Sequence, residues 1–339
     1  MTARARAARA LGVELRDPGL EVGVRAGLAA VEEMLREAVK SNYPFVTEMS
    51  RHLVDAGGKR FRPLLVLLAA QFGDPHAPGV VPSAAVVELT HLATLYHDDV
   101  MDEASMRRGA PSANSRWSNT IAILTGDFLF ARASDILADL GPEAVRIQAR
   151  TFERLVTGQI RESVGPGDAG DGVEHYLGVV AEKTGSLIAT SGRFGALMSG
   201  APEAAVDVLT LFGERIGVAF QLSDDILDVA SDAVESGKMP GTDLREGVAT
   251  LPVLHALAAG TQSPEDLRLR ELLASGDLSD AAWLAEALRL LRAHPGLERA
   301  RADLRRWADD ARGTLAPLPD VPAKAALASL CDVVVDRTG

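Results

Sequence analysis

"PSAAVVELTHLATLYHDDVMD", residues 82–102, decides the fold. Val86, Val87, Leu89, Leu92, Leu95 and Tyr96 recur at spacings of three and four, the period of one helical face. Pro82 suits a first helical turn, where its missing N–H costs nothing. The spacing predicts a helix from Pro82 to Asp102 with an acidic run at its C-terminal end. Asp98 and Asp102, four apart, share a face, and His91, seven before Asp98, lies close to the same stripe. Unpaired carbonyls at a helix C-terminus already carry partial negative charge, so carboxylates gathered there call for a cation.

The same three-and-four periodicity runs through most of the chain, and the alternating runs that mark strands are scarce. The fold class expected is all-α. Breaks such as "GDPHAPGVVP" (73–82), "RRGAPSA" (107–113), "GPGDAGDG" (165–172) and "ESGKMPGTD" (235–243) separate about ten or more helices. None is long enough to act as an interdomain linker, so one helical bundle over residues 1–339 is expected. Residues 1–20 form an Arg- and Ala-rich extension, read as a frayed tail or first helix, since they lack the apolar core of a secretory leader.

The net charge of −12, from 35 Lys and Arg against 47 Asp and Glu, argues against a nucleic-acid binder. The longest apolar runs, such as "PLLVLLAA", are too short to span a bilayer, which points to a soluble, cytoplasmic protein. A single cysteine, Cys331, excludes a disulfide framework and a thiolate metal site and reads as a small core residue.

A second acidic run, "FQLSDDILD" (220–228), repeats the D-D-x-x-D spacing within the apolar-periodic segment 206–229. Asp224 and Asp228 are again four apart, with Gln221 one turn earlier on their stripe, while Phe220, Leu222, Ile226 and Leu227 leave little room for a merely solvated surface. If the two helices face each other, as many as six carboxylates converge: Asp98, Asp99, Asp102, Asp224, Asp225 and Asp228. Oxygen-only donors suit a hard ion such as Mg2+, which keeps waters and takes further oxygens from substrate phosphates. A phosphorylated ligand is therefore expected beside them.

Basic residues stand where such a ligand needs them. "GGKRFRP" places Lys59, Arg60 and Arg62 after two glycines; it is not a Walker loop, because that spacing and its hydroxyl are absent. Arg107 and Arg108 follow the first acidic run, "EKTGS" supplies Lys183 and Thr184, and Lys238 lies after the second run. Two acidic clusters with interspersed cations favour two anionic substrates, one reached through metal and one by direct basic contacts.

The ordered motifs "GGKRFRP", "HLATLYHDDVMDEASMRRG", "GDFLFARA", "GQIRE", "EKTGSLI", "FQLSDDILD" and "GKMPGTDLREG" resemble those of the trans-isoprenyl diphosphate synthases, or polyprenyl synthetases, over about residues 57–252. The resemblance implies an all-α bundle around a central cavity, usually homodimeric, that condenses isopentenyl diphosphate with an allylic diphosphate. It implies that Lys59, Arg62, His91 and Arg108 hold isopentenyl diphosphate. Arg107, Lys183, Thr184, Gln221 and Lys238 would contact the allylic substrate, and the six aspartates would hold Mg2+, about three ions with substrate bound. Asp98, Asp99, Asp102, Lys183, Asp224 and Asp225 would be the catalytic set. One departure stands out: where many relatives carry lysine in G-K-x-T-L-P, this chain has Val248.

In this family the residues just before the first acidic run set product length. Ala93 and Thr94 are small there, so the resemblance implies an open tunnel and a long-chain product of roughly thirty carbons or more, as for a quinone side chain. A geranylgeranyl producer is the alternative, because small residues on a helix can instead serve close packing, and Tyr96 could narrow the tunnel. A terpene cyclase would not need the Lys59, Arg62 and His91 set, and a non-catalytic partner subunit would not keep both acidic runs intact.

Overall fold

The computed structural model describes residues 15–167, 171–231, 240–260, 263–275 and 277–338. In chain order the α-helices are α1 (Pro18–Ala38), α2 (Pro44–Asp55), α3 (Phe61–Ala69) and α4 (Val80–Met101). A two-residue hairpin, β1 (Met106–Arg107) and β2 (Ala110–Pro111), precedes α5 (Ala113–Arg116), α6 (Asn119–Leu140) and α7 (Pro142–Val164). Then come α8 (Gly172–Val180), a π-turn over Ala181–Gly185, α9 (Ser186–Met198) and α10 (Glu203–Ala230). The chain continues with α11 (Thr242–Arg245), α12 (Leu251–Ala258), α13 (Pro264–Ser275), α14 (Ala281–Ala293), α15 (Pro295–Thr314) and α16 (Pro322–Asp336).

The helix expected from Pro82 begins two residues earlier, at Val80, and Asp102 is its C-cap; Pro82 keeps its place in the first turn. Its environment differs from the single stripe that the spacing suggested. Ser83, Ala84, Ala85, Val86, Val87, Glu88, Leu89 and Thr90 are consecutively buried, so α4 is enclosed on nearly all sides, as a helix apolar around its circumference must be. In "GGKRFRP" the helix likewise starts earlier than the proline, at Phe61. Pro63 occupies the first turn, where no N–H is required.

The residues group into two compact units. The first comprises the described residues up to Glu153 with Ser186–Gly213 and Thr314–Leu330. Within it α4 lies along α6, α1 and α3, and α9 packs on α3 and α4. Tyr96 is fully buried; its hydroxyl donates to the Met49 carbonyl at 2.5 Å and accepts the Leu53 N–H at 3.2 Å, tying α4 to α2. Burial raises its phenol pKa above the ordinary range.

The second unit comprises Arg154–Gly185, Glu214–Gly313 and the described residues from Cys331. In it α12 packs against α8 and α14, and α13 against α14. Cys331 is buried as a core residue, and burial pushes its thiol up to about 11. Within the charged run "RADLRRWADDAR" (301–312), Asp303 is largely buried, 2.7 Å from His255 Nε2. Among the described residues no helix is long and apolar enough to cross a membrane.

Candidate active site

In the first unit Arg62, Arg107 and Arg108 lie near His91 of α4, the first aspartate triad stands at the end of that helix, and Lys59 lies in the turn before α3. Gly57 (φ 82°) and Gly58 (φ 155°) open the turn, and Arg60 (φ 51°) is left-handed at the N-cap of α3. A left-handed arginine costs on the order of 1 kcal/mol and persists because its side chain is tied down. Arg60 Nε donates to Glu32 at 2.5 Å, Nη1 to Glu88 at 2.7 Å and Nη2 to the Val54 carbonyl at 3.1 Å. Of the three cations in the turn, Arg60 is thus built into the fold.

Arg62, one residue into α3, has an Nε that is buried without a hydrogen-bond partner. Burial lowers its pKa to about 10, opposed by Glu88 and reinforced by Arg108. His91 is held well below the usual histidine range, first by burial and then by Arg62, Arg108, Arg60 and Arg107, so its imidazole is neutral.

Arg107 and Arg108 sit on the hairpin. Arg107 pairs with Ala110, and the two loop residues Arg108 (φ 53°) and Gly109 (φ 78°) both have positive φ, as a two-residue type I′ connection requires. Glycine serves this role readily, whereas Arg108 is held by donating to the carbonyls of Leu53, at 3.2 Å, and Gly57. A Cβ at Gly58 would lie 3.0 Å from the Arg108 guanidinium.

The cation demanded at the C-terminus of α4 is Arg107. Its Nε lies 2.6 Å from Asp99 Oδ1 and its Nη2 3.8 Å from Asp102 Oδ2. Asp99 is fully buried, and its second oxygen, Oδ2, has no hydrogen-bond partner. Asp98 is half-buried and Asp102 exposed. Upstream, Ala93 is fully buried, and a Cβ at Gly126 of α6 would come within 3.0 Å of its carbonyl and 2.3 Å of His97 Nε2. Thr94 is half-buried and donates to the His91 carbonyl at 2.9 Å.

The second unit gathers Lys183, Thr184, Gln221 and the second triad. Lys183 and Thr184 lie on the π-turn, a distortion common at functional sites. The backbone there approaches α7 so closely that a Cβ at Gly158, in "GQIRE", would sit 2.6 Å from the Lys183 nitrogen. Lys183 Nζ reaches Glu162 at 2.5 Å. A chain of bonds follows: Thr184 Oγ1 donates to Gln221 Oε1 at 3.1 Å, Gln221 Nε2 to Asp225 Oδ1 at 2.8 Å, and Tyr176 Oη to Asp225 Oδ2.

Asp225 is buried, and burial raises its pKa to about 7; the bonds from Tyr176 and Gln221 oppose the rise, and Asp224 and Asp228 add to it. Asp224, at 42% exposure, pairs with Arg337 at 2.5 Å, and that guanidinium lies 5.1 Å from the Phe220 ring centroid. Asp228 accepts the N–H groups of Thr242 (3.1 Å) and Asp243 (3.0 Å), so it anchors the start of α11. Val248 is half-buried, its N–H bonded to the Asp243 carbonyl. Lys238 lies outside the described residues.

Glu32, Glu88, Glu162, Tyr176 and Arg337 were not among the residues singled out from the sequence. Tyr176 carried a faint signal, lying seven residues, two helical turns, before Lys183. Among the described residues no three His, Cys, Asp or Glu side chains stand close enough together to hold a metal ion by themselves.

The polyprenyl synthetase family model matches residues 43–291. The chain belongs to the polyprenyl synthetase family. It is 53% identical to the nonaprenyl diphosphate synthase of Mycobacterium tuberculosis over 97% of both chains. Among solved structures, a geranylgeranyl pyrophosphate synthase from Corynebacterium glutamicum, complexed with calcium and isoprenyl diphosphate, superposes with a TM-score of 0.85 at 46% identity, covering 96% of this chain and all of that one. A decaprenyl diphosphate synthase from Rhodobacter capsulatus gives a TM-score of 0.85 at 36% identity over 99% of both. These likenesses match the all-α expectation and make this polyprenyl synthetase a transferase.

Proposed function

We propose that the chain condenses isopentenyl diphosphate with an allylic diphosphate in successive trans (E) 1′-4 additions, yielding a polyprenyl diphosphate of roughly thirty carbons or more for a quinone side chain. The observation that carries this reading is the cationic group Arg62, Arg108 and neutral His91 around α4, on the helix that bears the first triad. A second diphosphate needs a holder of its own, and this group provides one beside Lys59.

The donor set fits a hard divalent ion. Both triads offer only oxygen, Asp102 and Asp224 are exposed at 40% and 42%, and the buried Asp99 Oδ2 lacks a donor. Asp98, Asp99, Asp102, Asp224, Asp225 and Asp228 would hold Mg2+, about three ions, which when bound supplies neutralisation of charge on the departing diphosphate. Arg107, Lys183, Thr184, Gln221 and Lys238 bind and orient the allylic diphosphate, and their N–H and O–H donors strengthen as that charge develops. Lys59, Arg62 and Arg108 clamp isopentenyl diphosphate, with His91 as a neutral donor. The held double bond attacks the allylic carbon, and a proton leaves to the departing diphosphate. No protein nucleophile takes part, and water, which would quench the carbocation, must be excluded.

Ala93 and Thr94 bound the growing chain in this reading. A second reading, geranylgeranyl synthesis, has one observation in its favour: the backbone at Ala93 lies hard against Gly126, so its smallness already serves helix packing. The chain acts as a cytoplasmic homodimer, with at most peripheral membrane contact and no nucleic-acid partner.

The test is purified protein with Mg2+, isopentenyl diphosphate and geranyl, farnesyl or geranylgeranyl primers, followed by chromatography of the dephosphorylated products. A ladder ending beyond geranylgeranyl supports the long-chain reading. Arrest at geranylgeranyl favours the second, and no product from any primer overturns both.

A further inference from the structure

Glu88 is 2% exposed on α4, one turn before His91. Burial of a carboxylate demands a compensating arrangement of positive charge. Arg60 Nη1 lies 2.7 Å from Glu88 Oε1, and Arg108 Nη2 lies 3.9 Å from the same oxygen. Arg62 and Arg108 repel each other, and for both Glu88 is the strongest attraction opposing burial. Each of the three nitrogens of Arg60 is bonded within the protein, to Glu32, Glu88 and the Val54 carbonyl, which fixes its guanidinium in place.

We propose that Glu88 is a positioning residue for isopentenyl diphosphate: it holds the Arg108 guanidinium in place before the diphosphate arrives. This rests on the reading that those arginines bind that substrate. Glu32 is shared between Arg60 and Arg36, which leaves Glu88 as the carboxylate set between Arg60 and Arg108. With Glu88 neutral, Arg108 Nη1 keeps its bonds to the Leu53 and Gly57 carbonyls, but Nη2 loses the carboxylate charge that draws it toward the buried side of the group. A neutral amide also makes the pocket more positive, which by itself strengthens attraction for a diphosphate. The two effects have opposite signs, so experiment can separate them.

The experiment compares wild type, Glu88→Gln, Glu32→Gln and the double variant Arg60→Met/Glu88→Gln. It measures KM for isopentenyl diphosphate and for the allylic primer, and calorimetric binding of isopentenyl diphosphate alone. Glu88→Gln is expected to raise KM and Kd for isopentenyl diphosphate about tenfold, about 1.4 kcal/mol, with kcat and primer KM within about threefold of wild type. Glu32→Gln is expected to stay within about threefold throughout, since Glu32 meets Arg60 from its other side. Unchanged or tighter binding in Glu88→Gln overturns the proposal, as does a parallel rise of both KM values with a lowered melting midpoint.

If Glu88→Gln does not fold, the double variant decides, because both members of the buried pair are then neutral. Weakened binding retained there supports the proposal, and wild-type binding restored there shows that Glu88 serves Arg60 alone. Wild type that binds isopentenyl diphosphate yet makes no product sinks the synthase reading while the Glu88 comparison stands, and wild type that does not bind it sinks both.

Discussion

Asp225→Asn is expected to stabilise the metal-free protein near neutral pH while removing one of the proposed Mg2+ ligands. Asp225 has a folded pKa of about 7 against an ordinary 3.8, chiefly because burial penalises the carboxylate. Between those pH values the folded chain binds one more proton than the unfolded chain, so stability falls as pH rises through about 4 to 7. The shift is roughly 3 units, or about 4 kcal/mol as an order of magnitude when the group is fully ionised. Asparagine does not titrate and escapes this penalty. Its oxygen can still accept from Gln221, but its NH2 then faces the Tyr176 hydroxyl in place of an acceptor, a loss of about 1 kcal/mol. The variant should therefore be about 3 kcal/mol more stable near pH 7.5 and about 1 kcal/mol less stable near pH 4. Urea unfolding in EDTA, followed by circular dichroism at both pH values, measures the difference. A stability difference independent of pH, or a variant weaker at both, would refute the reasoning. With Mg2+ present the same variant should lose most activity, the usual exchange of stability against function at a strained site.

Arg107→Ala leaves the fully buried Asp99 without its cation and should cost about 2–4 kcal/mol in urea unfolding near neutral pH, with Arg107→Lys recovering part of it. Gly126→Val places a side chain where His97 and the Ala93 carbonyl already sit, so the melting midpoint should fall by the equivalent of about 1–3 kcal/mol. Lys183→Met should raise the allylic KM about tenfold and leave that for isopentenyl diphosphate nearly unchanged in steady-state kinetics. Ala93→Phe should shorten the chromatographic ladder; a ladder of unaltered length would remove Ala93 from the control of product size.

The two D-D-x-x-D runs, their helices and the cations of "GGKRFRP" and "EKTGS" were legible because each depends on residues within a turn or two. Helical period and side-chain charge are local properties, and α4 appears within two residues of where the apolar spacing placed it. That spacing did not reveal that α4 is enclosed on nearly every side, because the stripe shows where apolar residues recur and not how many neighbours close over them.

What the chain by itself determined is thus the set of chemical groups and the helices that carry them. Tertiary structure decided which of the charges are tied into the fold. Lys59, Arg60 and Arg62 are alike in the sequence, yet Arg60 donates to both Glu32 and Glu88, each 28 residues away. Tyr176 meets Asp225 across 49 residues and Arg337 meets Asp224 across 113. The protonation of a buried ionisable group is set first by its burial and then by the charges and donors that packing brings beside it. Sequence spacing encodes neither burial nor such neighbours, so the neutral His91, the Asp225 carboxyl at about 7 and the tied-down Arg60 emerge only once the helices are packed.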